Sequence, residues 1–342
     1  MTTIGMLHYR KHPEKVLKAY AFAAVAKAEG VDFFYFTPGK VNMEKKTILG
    51  YALEKGEWIE RKMPFPDVIY NAGSPLTEKA YDIHEKLSEQ IPFTSHSPGS
   101  KTSVYERVKK NGQFSQYLLP FMMIKSMKDV FEFLAAHQNV VIKPVSGHKG
   151  IGVIFIEENN GTYTVINQDD TSTYSKQTLR ELLNPLVIDE EYLIQRYVSS
   201  KTKYGSAYDF RLHVQKNGEG KWVITNIYPR IANPGKIVTN LNSGGAISML
   251  ESFLIQEFEE ESYNVKRYLE QFSLVFAEHM DKIYDESFDE LGIDVGLDAN
   301  RKIWIYEVNW RPGVPPTFDL ELDVARNTIH YAVYLSNKFH GR

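Results

Sequence analysis

The sequence predicts two architectures in one chain: an N-terminal α/β domain followed by a region of α+β character. Over residues 1–97, short apolar runs alternate with a segment of helical spacing, which is typical of an α/β layer domain. From Val140 onward, apolar runs separated by turn residues predict strand hairpins with helices between them. The turn-rich segment SHSPGS, residues 95–100, is predicted to link the two regions.

The elements of the N-terminal region can be assigned in chain order. Thr3–Leu7 and Val31–Phe36 are short apolar runs, and each is predicted to be a strand. Glu14–Glu29 lies between them, is rich in alanine and has helical spacing, so it is predicted to be a helix. Two further strands and, beyond the linker, two further helices are predicted at Trp58–Arg61, Asp67–Tyr70, residues 101–118 and Asp129–His137.

Composition excludes several classes of function. With 40 basic and 43 acidic residues the net charge is −3, so no electrostatic attraction to nucleic acid or to an anionic membrane is expected. The absence of cysteine excludes disulfides, thiolate metal sites and a cysteine nucleophile. The N-terminus lacks the apolar region of a signal peptide, and no apolar run approaches the roughly 20 residues that span a bilayer. A cytoplasmic protein without membrane or nucleic-acid partners is therefore expected.

The most informative stretch predicts a hairpin that carries metal ligands. Two apolar runs, Gly292–Leu297 and Ile303–Val308, flank a polar cluster at residues 298–302. Because side chains alternate faces along a strand, Glu307 and Asn309 share one face. The remaining alternative for this segment is a solvated hairpin with scattered polar residues.

A turn centred on Asn300 and Arg301 would place Asp294 opposite Glu307. Two facing carboxylates repel each other, and a hard cation such as Mg²⁺ relieves that repulsion through oxygen ligands. Asp298 would lie on the same strand face as Asp294, but four strand residues span about 13 Å at roughly 3.3 Å each. One ion cannot bridge that distance, so Asp298 is predicted to be a turn residue.

A glycine-rich loop follows the predicted strand Val140–Pro144 and precedes a second strand, Val153–Glu157. Glycines at 147, 150 and 152 would let backbone N–H groups approach an anion closely. Rossmann and Walker sites need a helix after the loop, so the order strand, loop, strand excludes both. A hairpin lying over nucleotide phosphates fits better, with Lys143 supplying a charge. An ordinary flexible hairpin is the alternative.

Two arginines are predicted to lie on consecutive strands of one sheet. Arg211 belongs to the alternating run Asp209–Val214, and Arg230 follows the run Trp222–Ile227. Arginine offers a planar fork for carboxylate or phosphate groups. The alternative is that each arginine forms an ordinary surface salt bridge.

Taken in order, these motifs resemble the ATP-grasp superfamily, and most of all its YheC/YheD-like group, named as endospore coat-associated. The resemblance covers residues 101 to about 315, and the preceding region is similar to that superfamily's N-terminal domain. It implies an N-terminal α/β pre-ATP-grasp domain (1–97), then a two-subdomain ATP-grasp fold. The small subdomain, residues 98–197, has the glycine-rich loop, and the large one, residues 198–342, has the Mg²⁺ site. The motifs are VVIKPVSGHKGIGV, YLIQRYV, YDFRLHVQKNGEGKW, PRIA, VTNLNSGG and GIDVGLDANRKIWIYEVNWRPG.

The resemblance also implies roles for individual residues. The ATP-binding set comprises two phosphate lysines, the glycine-rich loop, the segment that holds adenine and the aspartate of the DxR strand: Lys101, Lys143, Gly147, Lys149, Gly150, Gly152, Gln195, Arg196, Tyr197, Val198 and Asp209. The catalytic set comprises two strand arginines and an asparagine of the loop that closes on the substrate: Arg211, Arg230 and Asn240. The Mg²⁺ ligands are Asp294, Glu307 and Asn309.

Members of the superfamily activate a carboxylate with ATP, and an amine then attacks the acyl phosphate. The resemblance therefore implies an ADP-forming carboxylate–amine ligase that uses ATP with one or two Mg²⁺ ions, or Mn²⁺, and takes small-molecule substrates. It also implies a homodimer, spore-coat protein partners and association with the spore. A nucleotide-binding assembly protein of the spore coat, without ligase turnover, is the alternative.

One position departs from the pattern of related peptide ligases. An arginine that they carry two residues before the loop asparagine is replaced here by Val238. The contact to the acceptor carboxylate that is credited to this arginine then needs another residue, and Arg311 is the candidate.

Overall fold

The computed structural model of the chain describes residues 1–145, 152–167, 170–189, 191–198, 200–233, 239, 244–313 and 319–341, with backbone alone at 187–189. These residues form three β-sheets and eight α-helices. The helices are α1 (Leu17–Ala28), α2 (Glu78–Ser88), α3 (Lys101–Asn111), α4 (Met127–His137), α5 (Lys176–Asp189), α6 (Leu250–Phe258), α7 (Ser262–Ile283) and α8 (Glu321–His340).

The first sheet is built from the N-terminal strands in the order β3-β4-β2-β1-β6, with β5 paired to β4. β1 is parallel to both β2 and β6, and the remaining pairs are antiparallel. Parallel strands require a crossover, and α1 provides the one between β1 and β2. The strands are β1 (Thr3–Leu7), β2 (Asp32–Phe36), β3 (Val41–Asn42), β4 (Thr47–Glu54), β5 (Glu57–Pro64) and β6 (Val68–Asn71).

The second sheet is antiparallel, in the order β11-β10-β9-β8-β12-β7. Buried residues of α4 and α5 pack on it, with Phe131 and Leu134 of α4 and Leu179 of α5 in one cluster with Ile142 and Ile194. The strands are β7 (Phe121–Met123), β8 (Asn139–Pro144), β9 (Ile154–Asn159), β10 (Thr162–Asn167), β11 (Asp170–Ser175) and β12 (Tyr192–Arg196).

The third sheet separates an apolar face from a polar face. Its strand order is β15-β14-β13-β16-β17, and all its pairs are antiparallel. Phe210, Leu212 and Val214 pack with residues of α6 and α7 such as Phe253 and Phe276. Because side chains alternate, the polar residues between them point to the opposite face. The strands are β13 (Tyr208–Lys216), β14 (Trp222–Ile231), β15 (Ala246–Ile247), β16 (Glu290–Leu297) and β17 (Ile303–Asn309).

The C-terminal helix α8 packs against residues that are distant from it in sequence. Val324, Ala325 and Ile329 join the core of the first sheet, together with Ile4 and Phe22. On the third sheet, Gln215 donates to the Val324 carbonyl at 3.2 Å. The helix therefore lies between the first and third sheets and sets their relative position.

The predicted strands and helices are found with shifted ends. The helix predicted over 101–118 is shorter than expected, because Gly112 adopts a φ of 86° and ends α3 at Asn111. Strands β3 and β4 and helix α2 of the N-terminal region were not predicted. Among the described residues, no helix is both long and apolar enough to span a membrane. The division at residues 97 and 197 stays a prediction.

Candidate functional site

The candidate site lies on the polar face of the third sheet, where strand register brings distant residues together. Asp209 of β13 is opposite Arg230 of β14, and Arg211 of β13 is opposite Asp294 of β16. In an antiparallel sheet, side chains directly opposite each other are about 5 Å apart at Cβ. The register therefore places two acids and two bases of the predicted set side by side.

These four side chains form one buried network of alternating charge. Arg230 Nε and Nη2 donate to the two carboxylate oxygens of Asp209, each at 2.7 Å. Arg230 Nη2 also lies 3.0 Å from Asp294 Oδ2. Arg211 binds both oxygens of Asp294, with Nη2 at 3.1 Å from Oδ2. Asp294 is thus held by two guanidinium groups, and the exposed fraction of its side chain is 8%.

The pKa values of Asp294, Arg211 and Arg230 are shifted in the direction that keeps these three groups charged. Burial alone would raise the pKa of Asp294, but Arg211 and Arg230 outweigh it and hold that pKa below its ordinary value. Burial alone would lower the pKa of Arg211 and of Arg230. The negative charge of Asp294 outweighs burial, so the pKa of each arginine is raised. All three groups are therefore ionised at neutral pH.

The predicted hairpin register is confirmed. Asp294 of β16 is paired with Glu307 of β17, and Gly292 is paired with Asn309. The register shifts between Asp294 and Val295, so a bulge lies directly beside the acid pair. Glu307 is more accessible than Asp294, with a side-chain exposed fraction of 31%.

Lys101 reaches this hairpin from α3, on another part of the chain. Its Nζ lies 3.3 Å from Glu307 Oε1. Ser100 caps α3 by accepting a hydrogen bond from the Ser103 N–H, which fixes Lys101 at the first position of the helix. Lys101 and Glu307, predicted separately, are therefore neighbours.

Asp298 is confirmed as a turn residue. Its Oδ1 accepts from the backbone N–H groups of Asn300 and Lys302, at 2.9 and 3.0 Å. Its Oδ2 accepts from Trp304 Nε1 at 2.9 Å. These bonds close the β16–β17 turn and aim the carboxylate away from Asp294.

Lys143 lies at the second sheet in a chain of hydrogen bonds. Its Nζ donates to Gln195 Oε1 at 2.7 Å, and Gln195 Nε2 donates to Tyr105 Oη at 3.1 Å. The Tyr105 hydroxyl in turn donates to the Ile305 carbonyl and lies 3.0 Å from the carbonyl oxygen of Tyr306, beside Glu307. Lys101, Tyr105, Lys143 and Gln195 line one small pocket. The chain of bonds connects the second sheet with the hairpin of the third.

Burial weakens the charge on Lys143. Its pKa falls to about 8, chiefly because burial disfavours the ammonium and secondly because Lys101 repels it, while Glu307 opposes the shift. A negative group entering the pocket would restore the charge. Such behaviour suits a lysine that meets phosphate.

Some backbone groups of the segment predicted to hold adenine already form hydrogen bonds with other parts of the protein. The N–H groups of Arg196 and Tyr197 donate to the carbonyls of Pro120 and Asn139, at 2.8 and 2.9 Å. The Val198 carbonyl accepts from Tyr306 Oη at 3.0 Å. An adenine would therefore need other groups of this segment.

Part of the predicted site lies outside the described residues: Gly147, Lys149, Gly150, Val238 and Asn240. Gly152 is described, with a φ of 75° that favours glycine, and it lies against Pro144. Thr239, next to Asn240, donates its hydroxyl to Asp209 Oδ2 at 2.6 Å. This contact places Thr239, a residue of the predicted closing loop, beside the arginine network.

Two residues of the site were missed from the sequence. No pattern in the sequence distinguishes Thr239 from other polar residues. Tyr105 stands four residues after Lys101 on α3, so both lie on the same helix face, and that spacing could have indicated it.

The predicted metal ligands fit Mg²⁺ in chemistry and placement. Asp294 and Glu307 are paired across the hairpin, Asn309 follows two residues after Glu307 on β17, and all three offer oxygen atoms of the kind that Mg²⁺ prefers. Asp294 Oδ2 is bound by both arginines, whereas Oδ1 accepts from Arg211 alone, so Oδ1 keeps a second acceptor site for an ion. Within the described part of the chain, no group of three or more His, Asp or Glu residues could hold a metal. An ion here would therefore be bound by Asp294, Glu307 and Asn309 together with oxygen atoms of a bound nucleotide.

Comparisons with known proteins identify the family of the chain. A family model described as YheC/D-like ATP-grasp matches residues 90–335. The chain is 28% identical over 323 residues to endospore coat-associated protein YheD of Bacillus subtilis (strain 168), covering 89% of this chain and 71% of YheD. It is 25% identical over 329 residues to YheC of the same organism, covering 92% and 89%.

The fold resembles that of the ATP-grasp ligase PsnB, solved with a phosphomimetic variant of its minimal precursor, Mg and ADP. The TM-score is 0.57 at 12% sequence identity, covering 98% of this chain and 99% of PsnB. At that identity the likeness shows a shared ATP-grasp fold. Together with the family match, it confirms the predicted fold class, and the chain belongs to the YheC/D-like ATP-grasp family.

Proposed function

We propose that the protein is an ATP-dependent, ADP-forming carboxylate–amine ligase. The observation that carries the proposal is the facing pair Asp294 and Glu307, which is surrounded by the cations of Lys101, Arg211 and Arg230. Two carboxylates held beside several cations suit a polyphosphate with its metal ion. Membership in an ATP-grasp family supports this use of the site.

The proposed roles of the site residues follow from their charge and position. Lys101 and Lys143 bind phosphate oxygens of ATP, and Arg211 and Arg230 stabilise the charge that develops on the transferred phosphoryl group. Mg²⁺, held by Asp294, Glu307 and Asn309, supplies positive charge to the phosphates when bound, and Mn²⁺ can replace it. The solved complex of PsnB with Mg and ADP supports ATP and Mg²⁺ as the cofactors.

The reaction needs positioning and charge neutralisation more than a nucleophilic side chain. A substrate carboxylate oxygen attacks the γ-phosphorus, and the bond from that phosphorus to the bridging oxygen of ADP breaks. The amine nitrogen then attacks the acyl carbon, phosphate leaves with its oxygen, and the amine proton passes to solvent. A chain without cysteine meets these requirements.

The test is substrate-dependent release of ADP and phosphate. Pure protein would be incubated with Mg²⁺, ATP and pools of amino acids, small peptides and polyamines, and products identified by mass spectrometry. A ligase yields equal amounts of ADP, phosphate and a product one water lighter than its two substrates.

The second candidate is an ATP-binding assembly protein of the spore coat without turnover. The names of YheD and YheC, endospore coat-associated proteins, favour it and also suggest coat-protein partners. Location at the spore, or in the cytoplasm before assembly, and a homodimer belong to the same proposal. ATP binding without ADP formation in every substrate pool would favour this candidate over the ligase.

A further inference from the structure

The buried side chain of Tyr105 on α3 joins three parts of the candidate site through its hydroxyl group. The ring of Phe121 from β7 meets the Tyr105 ring edge-on, with 5.1 Å between the ring centroids. The hydroxyl contacts Gln195 of β12 and the carbonyls of Ile305 and Tyr306 on β17. Helix α3, the second sheet and the third sheet therefore meet at this one group.

The two carbonyls belong to the bulge in the β16–β17 hairpin. Val295 of β16 is paired with Ile305 of β17. The residue before it, Asp294, is paired with Glu307, so the register passes over Tyr306. A bulge interrupts the ladder of backbone hydrogen bonds and redirects the side chains beside it. The hydroxyl from α3 supplies a donor at this interruption, next to Glu307.

These carbonyls fix the direction of every hydrogen bond in the chain that leads to Lys143. A carbonyl oxygen only accepts, so the single proton of the Tyr105 hydroxyl points toward β17. The hydroxyl oxygen can then only accept from Gln195, whose Nε2 lies 3.1 Å away and must belong to the NH₂ end of the amide. The other end, Oε1, is left facing Lys143 Nζ at 2.7 Å.

Strand register brings Gln195 within reach of Lys143. Leu193 of β12 is opposite Lys143 of β8, so Gln195, two residues further along, is a diagonal neighbour on the same face. Gln195 is buried, and both side chains line the small pocket that Lys101 also lines. An amide turned the other way would place its NH₂ group against the ammonium and its oxygen against the hydroxyl oxygen.

Both lysines assigned to phosphate are consequently tied to neighbouring residues of β17. Lys101 contacts Glu307 directly, with Nζ 3.3 Å from Oε1. Lys143 is tied through the hydrogen-bond chain to the carbonyl of Tyr306. A carboxylate holds the first lysine, whereas a neutral amide oxygen holds the second. Lys143 is therefore kept in place without its charge being cancelled by a partner.

We propose that Tyr105 is a positioning residue for ATP: by orienting the amide of Gln195, it holds Lys143 Nζ in place relative to the β16–β17 hairpin and keeps an oxygen atom facing the ammonium. The inference rests on the proposed function, in which Lys143 binds a phosphate oxygen. Tyr105 acts through Gln195 and Lys143 and does not itself contact the nucleotide.

Tyr105→Phe tests the hydroxyl, because the ring can keep its place against Phe121. The full chain with Mg²⁺ is titrated by calorimetry with a non-hydrolysable ATP analogue and, separately, with adenosine. The variant should bind the ATP analogue about tenfold more weakly, which is the usual effect of one lost buried hydrogen bond. Adenosine should bind as it does to wild type, because it has no phosphate for Lys143 to contact.

Tyr35→Phe is the matched control. Tyr35 is also buried, and its hydroxyl also donates to a backbone carbonyl, that of Arg10, at 2.5 Å in the first sheet. Removing this hydroxyl should lower the melting temperature and leave the affinities for the ATP analogue and for adenosine unchanged.

A double-mutant cycle separates positioning from a structural role. If Tyr105 acts through Lys143, Tyr105→Phe should change the affinity for the ATP analogue by less than about twofold once Lys143 is already alanine. A tyrosine that only stabilises the fold would have the same effect on binding with and without the lysine. Melting temperatures of all four proteins show that each is folded.

Gln195→Met provides a second route to the same comparison. It removes the amide, keeps the length of the side chain and leaves Lys143 without its oxygen partner. It should reproduce the loss of affinity for the ATP analogue, and that loss should also disappear in the Lys143→Ala protein. If Tyr105→Phe does not fold, this variant decides.

The inference is overturned if Tyr105→Phe binds the ATP analogue as tightly as wild type, if it weakens the analogue and adenosine equally, or if its effect persists in full without Lys143. These binding measurements need no turnover, so they are independent of the test for ligase activity. The expected pattern without ADP formation in any substrate pool would count against the ligase and leave the role of Tyr105 standing. ADP formation by wild type, with unchanged nucleotide binding by Tyr105→Phe, would do the opposite.

Discussion

Asp294 and Glu307 lie directly opposite each other on β16 and β17, and each is held by a cation from a different part of the chain. Arg211 and Arg230 bind Asp294, whereas Lys101 binds Glu307. The two arginines hold the pKa of Asp294 below its ordinary value, so that Asp294 is ionised opposite Glu307. A site for a metal ion and a polyphosphate requires such an acid pair with basic residues around it.

Glu307→Gln should keep the fold and lose Mg²⁺-dependent ATP turnover. It removes one charge from the acid pair, and removing one charge-stabilising group typically costs on the order of 10²-fold in rate. Thermal unfolding and ADP formation measure the two effects. Glu60→Gln is a matched control, since Glu60 is also a partly exposed partner of a lysine, Lys40, but lies in the first sheet. Wild-type turnover in Glu307→Gln would refute the metal assignment.

Asp294→Asn should destabilise the protein at neutral pH. The folded pKa of Asp294 is lowered, so its ionised form contributes stability above the unfolded pKa, and that contribution is lost as pH falls through the folded pKa. Breaking a buried ion pair by removing one partner costs roughly 3–5 kcal/mol. Denaturant unfolding at neutral pH measures the loss. An unchanged free energy of unfolding would mean that the arginines do not depend on Asp294.

Asp289→Asn should have the opposite effect. Burial, and secondly Glu290, raise the pKa of Asp289 from 3.8 to about 6. A raised carboxyl pKa gives stability at low pH that is lost as pH rises through the folded pKa, so ionised Asp289 costs roughly 3 kcal/mol at neutral pH. The variant should therefore melt at a higher temperature than wild type at pH 7, and the difference should vanish near pH 4. A lower melting temperature at pH 7 would show that Asp289 is structural.

ATP affinity should fall as pH rises above about 8. The pKa of Lys143 is about 8 in the free protein, and bound phosphate would raise it, so binding takes up a proton in this range. Lys143→Arg should remove the pH dependence, because arginine stays charged. Calorimetric titrations from pH 7 to about 9.5 test this. The same decline in both proteins would exclude Lys143 as its origin.

Lys143→Ala should weaken ATP binding more than adenosine binding. The lysine is proposed to contact phosphate and not the base, so adenosine loses nothing by its removal. Calorimetry with both ligands gives the comparison, and Lys125→Ala serves as the control because Lys125 is exposed and lies just before α4. Equal weakening for ATP and adenosine would make Lys143 a structural residue.

The local parts of the fold could be predicted from the sequence. Alternation along β16 and β17 with one turn between them was sufficient to pair Asp294 with Glu307, because a two-residue period and a turn position together set the register. Asp298 was assigned to the turn by distance alone. Helix α3 was overextended because the stop at Gly112 was not recognised.

Contacts between distant segments could not be predicted in the same way. Lys101 and Glu307 are brought near by the packing of separate parts of the chain, which leaves no periodic signal in either segment. The same holds for α8, whose apolar residues fill the core of the first sheet.

The fate of carboxylate oxygen tests the central claim most directly. A substrate found in the pooled screen would be prepared with ¹⁸O in its carboxylate and turned over with Mg²⁺ and ATP, and the released phosphate analysed by mass spectrometry. Attack of the carboxylate on the γ-phosphorus predicts one ¹⁸O atom in each phosphate released, and no labelled phosphate from Glu307→Gln. Amide product formed with unlabelled phosphate, or ATP bound without ADP formation across every pool, would contradict an ATP-dependent ligase that acts through an acyl phosphate.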